Sequence, residues 1–375
     1  MVECAAVGAI TLLLVNEAEN DMERMIDISL FEYKPVDKDY YEREIKDFLP
    51  SRVIDVHSHV YSREFRDPAY VDEELEGRSQ SWPGLVAQDN PIEDLKETYR
   101  VMFPDKAVTP VIFGMPTLDY FMDKNNDYIA KVSRDNGYPA FMLTHPGQTA
   151  GEVEEGLSDG SFKGVKVYLE FAPSYIPGNE IRIFDYAPHH QLEVLSELKM
   201  AMMLHIPRPG RLRDAVNIAQ MLEIDRKYPG IKLIIAHVGR AYAIEDVGDA
   251  LDRLKDSNMV FDISANTNQQ VLEEALDKIG PRRILFGSDL PIVRMRMKRV
   301  TENGKYINLV RKGSYGDVSD DPHMREIEGE QADALSFFMY EIISAMRRAC
   351  EAKAISRRDA EAIFFSNAAE LLGVE

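Results

Sequence analysis

The stretch Arg52-Val53-Ile54-Asp55-Val56-His57-Ser58-His59 is an apolar, strand-like run that ends in two histidines one residue apart. In an extended chain residues i and i+2 point to the same side, so His57 and His59 can offer two imidazoles to one metal ion. Alone, the pair reads equally well as hydrogen-bonded or solvated histidines. Three later apolar runs, however, also close on a residue that binds metal or carries a proton: 200–205 on His205, 231–237 on His237 and 284–289 on Asp289. Buried parallel strands read as continuous aliphatic runs, and α/β barrels carry their active sites at the carboxyl ends of such strands. Polar residues recurring at that position predict one shared site.

Runs 109–115, 139–145, 164–169 and 260–263 bring the candidate strands to eight. Between them lie stretches of helical length. The segment 212–228 has apolar residues at helical spacing and stops at Pro229-Gly230, 245–255 behaves similarly, and 270–279 ends at Gly280-Pro281. Strand alternating with helix implies parallel pairing through right-handed crossovers. The fold expected is therefore α/β, a (β/α)8 TIM barrel. It is expected to span 51–375, with an N-terminal extension over 1–50 packed on it, a long loop insertion at 291–330 after strand eight, and helices near 331–350 and 356–372 at the C-terminus. Ser356 with Asp359 predicts a capped helix start, and Gly373 a stop. The first strand is not followed by the Gly-rich GxGxxG of a dinucleotide fold.

The order HxH after strand one, Lys166 on strand four, His205 after strand five, His237 after strand six and Asp289 after strand eight resembles the amidohydrolase superfamily. The branch it resembles holds metal-dependent hydrolases, lactonases and non-oxidative decarboxylases. Phe162-Lys163-Gly164-Val165-Lys166, Ala236-His237-Val238-Gly239, Leu285-Phe286-Gly287-Ser288-Asp289-Leu290-Pro291 and the terminal 366–373 carry the likeness. The resemblance implies His57, His59 and His205 as metal ligands, and Asp289 as a fourth ligand or as the base for the water proton. Such ligands suit a hydrolytic Zn2+, with Mn2+ or Fe2+ as alternatives. His237 would either bind a second ion or act as acid, base or oxyanion partner. Lys166 would be either a carboxylated bridge between two ions or a structural lysine paired to an acid. By the period of two it shares a strand face with Tyr168 and Glu170, which predicts a polar cluster in the pocket. Asp55 is either a partner that orients an imidazole or a buried turn cap.

The formal charge of −20, from 44 basic and 64 acidic residues, argues against a nucleic-acid partner and against anionic membranes. Arg208 after strand five, Arg240 after strand six and Arg294 after strand eight stand where barrel loops ring the site, and arginine suits carboxylate recognition. A small, anionic substrate is expected. Cys4 and Cys350 are too far apart in sequence, and too few, for a disulfide framework. The run 5–15 is too short to span a bilayer and follows Glu3 rather than a basic segment, so the cytoplasm is the expected compartment. That run is expected to serve as an extra strand or a dimer contact, and a homo-oligomer is the expected state. The reading is a metal-dependent hydrolase that uses metal-activated water on an ester, lactone or amide. Its rivals are a non-oxidative decarboxylase of an aromatic or unsaturated acid and a binding protein without catalysis.

Overall fold

In the computed structural model, which describes residues 30–70 and 86–374, eight parallel strands close a barrel. They are β1 (Arg52–His59), β2 (Ala107–Phe113), β3 (Phe141–Leu143), β4 (Gly164–Val167), β5 (Ala201–Leu204), β6 (Lys232–Ile235), β7 (Val260–Asp262) and β8 (Ile284–Leu285). Each overlaps one of the eight runs expected. β1 pairs with β2, and β3 to β8 pair in chain order. Backbone bonds close the two seams: Ile112 N–H donates to the Pro139 carbonyl at 3.0 Å, Val56 N–H to Phe286 at 3.0 Å and Asp289 N–H to His57 at 2.9 Å. The last of these fixes the spacing between the ends of β1 and β8.

The aliphatic runs are strands because they are buried on both sides, as a parallel barrel requires. Ile54, Val56, Val111, Phe113, Phe141, Met203, Ile234 and Leu285 pack as one cluster with Ala368 and Leu372 of the last helix, Ser366–Leu372. Phe113 belongs to that cluster, and its ring lies against both His57 and His59, so the apolar core forms the floor of the polar site. At about 1.5–3 kcal/mol for each fully buried large aliphatic or aromatic side chain, this floor is a major stabilising element. Helices cover the outside. Ala215–Lys227 is capped by Asp214, whose Oδ1 accepts from Val216 N–H at 2.9 Å, and Gln269–Lys278 is capped by Asn268. The 245–255 segment is shorter than expected, a helix only over Ala250–Leu254. Among the described residues no helix is long and apolar enough to cross a membrane.

The chain divides into two units, Met1–Lys34 and Pro35–Glu375. In the first, Lys34 pairs with Glu32 at 3.1 Å. Cys4 and the apolar run 5–15 lie outside the described residues. The second unit includes residues 35–50 of the expected extension. There a helix over Pro35–Tyr40 runs on as a π-helical turn, Tyr41–Ile45, and packs against the helix Phe338–Ala352.

The insertion after β8 is not the loop expected. It forms a three-stranded sheet of β9 (Met297–Glu302), β10 (Lys305–Arg311) and β11 (Met324–Ile327), in the order β11-β10-β9. β9 and β10 are an antiparallel hairpin whose two turn residues, Asn303 and Gly304, both have positive φ, at 49° and 72°. That Asn-Gly pair between alternating strands is the strongest short hairpin signal, and it marks this stretch as a sheet where a loop was expected. The fully buried carboxylate of Asp37 anchors the insertion. It accepts from Arg296 Nη1 at 2.7 Å and from Ser336 Oγ at 2.8 Å. The stretch Ser336–Phe338 is held to the insertion by Met297 N–H to Ser336 and Phe338 N–H to Met295, which splits the expected helix at 331–350. Ser356 does cap Arg357–Phe364, and Gly373 ends the last helix at φ 63°, with a break at Phe365 between the two.

Gly164 opens β4 where it crosses β5, and a Cβ there would stand 2.2 Å from the Ala201 carbonyl oxygen. Because the obstacle is backbone, Gly164→Ala should lower stability by at least about 2 kcal/mol, read as a shift of the urea unfolding midpoint.

Candidate metal centre

The site residues sit at or just past the carboxyl ends of β1 and of β4 to β8. His57 and His59 stay on one side of β1 with ring centroids 5.5 Å apart. Asp289 lies between them, its Oδ1 3.4 Å from His57 Nε2 and 3.3 Å from His59 Nε2. His237, His57 and Asp289 form a group whose ligand atoms all lie within 4.8 Å of one another. His205 stands beyond His237, with ring centroids 5.3 Å apart at a steep angle.

The histidines are aimed from behind. His57 Nδ1 donates to Asp262 Oδ2 at 3.0 Å, His59 Nδ1 to the Gly114 carbonyl at 3.2 Å, and His237 Nδ1 to the Ser264 carbonyl at 3.2 Å. A carbonyl or carboxylate only accepts, so each Nδ1 carries the hydrogen and each Nε2 keeps its lone pair for the centre. His205 Nδ1 is buried with no hydrogen-bond partner, the kind of orphaned polar atom a ligand would satisfy. The donor set, neutral imidazoles with one carboxylate, fits a divalent transition metal.

Asp262 was not anticipated from sequence. It ends β7 fully buried, and beyond His57 it accepts the backbone N–H of His237 at 3.0 Å, the N–H of Ser264 at 3.0 Å and the Ser264 hydroxyl. One carboxylate therefore positions the ends of β1, β6 and β7. The available signal was an acidic residue closing an otherwise apolar strand, Val260-Phe261-Asp262, as Asp289 closes the run after β8. Asp55 proves to hold backbone rather than an imidazole. It accepts from His57 N–H at 3.1 Å, Ser288 N–H at 2.8 Å and the Tyr99 hydroxyl at 2.8 Å, stitching β1 to the segment before Asp289.

Burial dominates the protonation equilibria. It lowers His57 to about 3, helped by the charge of Lys166 and opposed by Asp262. It also lowers His205, with Arg240 adding to the effect, and His237, where Asp289 and Asp262 oppose it. Burial would raise Asp289, but its close approach to His59 and the neighbouring histidines outweighs this and holds it at about 2. Lys166 is buried with Nζ 3.2 Å from His57 Nε2, and burial brings it down to about 8. Tyr168 lies against His205 with centroids 4.8 Å apart and the rings tilted by 51°, and burial raises its pKa. The polar cluster of Lys166 and Tyr168 thus faces the histidines, whereas Glu170 turns to accept from Leu118 N–H.

The backbone carrying these groups is strained. His237, Val238, Gly239 and Arg240 all have positive φ, between 47° and 61°, and Asp289 has φ 77°. A β-branched valine in this region is costly, and such residues cluster where function demands them.

Arg294 is a correction. It is buried beneath the rim, bonded through Nε to Thr98 Oγ1 at 2.9 Å and through Nη2 to Asn90 Oδ1, so it fastens the helix Ile92–Met102 instead of meeting substrate. Arg208 is paired with Asp214 at 3.2 Å and donates to the Glu180 carbonyl. Arg240 pins the loop after β5 through the Ile206 and Pro207 carbonyls, and its charge reaches His205 and Tyr168. His145 is exposed and bonded to its own loop, outside the pocket.

A family model described as Amidohydrolase matches residues 54–374. No curated protein matches the sequence. Among solved structures, 5-carboxyvanillate decarboxylase from Sphingomonas paucimobilis aligns with TM-score 0.55 at 12% identity, covering 87% of this chain and 100% of that one. A probable 2-pyrone-4,6-dicarboxylic acid hydrolase from Acinetobacter baumannii with citric acid bound aligns with TM-score 0.51 at 15% identity, covering 86% and 99%. A dihydroxybenzoic acid decarboxylase from Polaromonas sp. JS666 with bound manganese and an inhibitor aligns with TM-score 0.50 at 16% identity, covering 86% and 97%. At such identities the likeness establishes the barrel. The manganese is that neighbour's; in this chain it is the donor set described above that fits a divalent metal.

Two outcomes follow from this geometry. Asp262→Asn removes the charge behind His57 while keeping its shape, and metal affinity measured by chelator competition should fall about 10- to 100-fold. In metal-free protein His57 stays neutral far below the ordinary histidine value of about 6.5, whereas the unfolded chain takes up the proton. Stability should therefore be lost as pH falls from about 6.5 toward about 3, with His57 alone contributing about 2 kcal/mol of that loss by pH 5 in urea unfolding.

Proposed function

This chain belongs to the amidohydrolase family of enzymes, and we propose that within it the protein is a metal-dependent hydrolase of a small, anionic ester, lactone or amide. The observation that carries the reading is the convergence of imidazole lone pairs, each oriented by an acceptor behind its ring, on the Asp289 carboxylate at the end of the barrel. His57, His59 and Asp289 would hold one ion, preferably Zn2+, with His205 as a further nitrogen donor whose Nδ1 has no other partner. When bound, the metal supplies Lewis acidity toward water and the substrate carbonyl.

The chain's own groups account for the proton movements. Asp289 is ionised throughout the neutral range, and its Oδ1 is poised to take the proton of the attacking water. His237, neutral with hydrogen on Nδ1, presents Nε2 to the same space as His57 and Asp289. The proton that Asp289 takes passes to this Nε2, which then donates it to the leaving group. Lys166 is the other buried donor in reach, in this reading a hydrogen-bonding partner for the substrate carbonyl oxygen. The apolar floor around Phe113 keeps bulk water from that face.

The test is turnover of zinc- or manganese-loaded protein on lactones and esters of small carboxylic acids, set beside dihydroxybenzoates. Acid release in a pH-stat, lowered at least about 100-fold in Asp289→Asn at unchanged fold, is the expected result. Evolution of CO2 from the aromatic acids, with no acid released from any ester or lactone, would replace this reading with the decarboxylase.

A further inference from the structure

The inserted sheet brings a second charged element to the mouth of the barrel. Arg299 of β9 and Arg211 of the loop after β5 lie over the same two rings. Arg299 is 4.7 Å from the Tyr242 centroid and 4.6 Å from Tyr306, and Arg211 is 5.3 and 4.9 Å from them. Tyr242 follows the strained turn at His237, and the two rings are 6.4 Å apart, so this cluster begins one aromatic ring away from the candidate metal ligands. Arg299 is tied to the same framework from the other side. Its Nη1 donates to the carbonyl of Ala265, the residue after the Ser264 that orients His237.

The charges in this cluster do not balance. Arg211 has a carboxylate partner, Asp246 at 2.7 Å. Arg299 has only neutral acceptors, Asn308 Oδ1 at 2.8 Å and the Ala265 carbonyl, and Nη2 makes no hydrogen bond among the described residues. Burial lowers the Arg299 pKa and Arg211 adds to the effect, opposed by Tyr306, Tyr242 and the Asp289 carboxylate of the metal centre. Stacking on the rings of Tyr242, Tyr306 and Phe338 offsets part of the cost of a half-buried cation, about 0.5–2 kcal/mol per contact. A guanidinium with covered faces and an Nη2 still to be used can donate to a carboxylate.

We infer that Arg299, seconded by Arg211, is a specificity-determining residue that receives a carboxylate of the substrate remote from the bond that reacts, so that the enzyme prefers small dicarboxylates. The inference deepens the hydrolase reading, on which it rests for the position of the reacting group. It gives the inserted sheet a purpose that the barrel alone does not supply, since β9 and β10 carry Arg299, Tyr306 and Asn308 together.

Calorimetric titration of metal-loaded protein with isophthalate against benzoate, and with glutarate against butyrate, tests it. At least one dicarboxylate should bind about tenfold or more tightly than its monocarboxylate counterpart. Arg299→Gln should abolish that ratio while leaving monocarboxylate affinity within about twofold, and Arg299→Lys should retain part of it. If Arg299→Gln does not fold, Arg299→Lys and the wild-type ratios carry the test. Equal binding of both members of each pair by wild type, or an unchanged ratio in a folded variant, overturns the inference and leaves Arg299 a fastening of the insertion. Metal content of the same samples separates the two readings, because loss of the metal reading appears there while the dicarboxylate ratio is scored independently.

Discussion

The site depends on the carboxylate of Asp262. A buried charge is tolerated only where donors replace water, and this one is met by the His57 imidazole, two backbone N–H groups and the Ser264 hydroxyl. The requirement works in both directions. The donors are needed to keep the charge buried, and the charge in turn fixes where three strands end. Burial alone would leave His57 free to choose its tautomer, and the bond to Asp262 removes that choice.

The surrounding electrostatics then follow from burial. Imidazoles withdrawn from water are kept neutral, which is the form that binds metal, while the Asp262 carboxylate remains anionic because the His57 N–H and its other donors meet it. Lys166 brings a positive charge into the same volume, opposing any proton on His57. Ligands, base and donor are thus distinguished by environment more than by residue type, and His205, with its orphaned nitrogen, marks the side of the centre left incomplete by the protein's own bonds.

Much of this was legible in the sequence for a physical reason. Strands buried on both faces leave continuous aliphatic runs, so β1, β5, β6 and the run before Asp289 announce themselves and their terminal residues in order. The HxH spacing adds the period of two. What stayed hidden depends on tertiary partners. Asp262 is a lone acid with no spacing to mark it, and its role comes from chain segments far apart in sequence. Arg294, Arg296 and Arg299 belong to one basic stretch, yet one fastens a helix, one pairs with Asp37 and one faces the site mouth. Composition cannot separate them, because the alternation of β9 is set by its pairing with β10. The Asn303-Gly304 turn could have revealed that pairing.

Asp37 joins Arg296 of the insertion to Ser336 before the long C-terminal helix, contacts separated by 259 and 299 positions along the chain. Such a junction cannot form until both ends of the molecule are present, and closing loops of that length carries an entropic cost that local pairing does not. During synthesis neighbouring barrel strands can pair as they emerge, although the seam between β1 and the end of β8 closes only when residues 286–289 are made. The inserted sheet must wait for residues near position 336. The mouth of the site therefore reaches its native shape only with the C-terminal part of the chain in place, and a chain arrested before its last helices would lack both the floor and the entrance of the site.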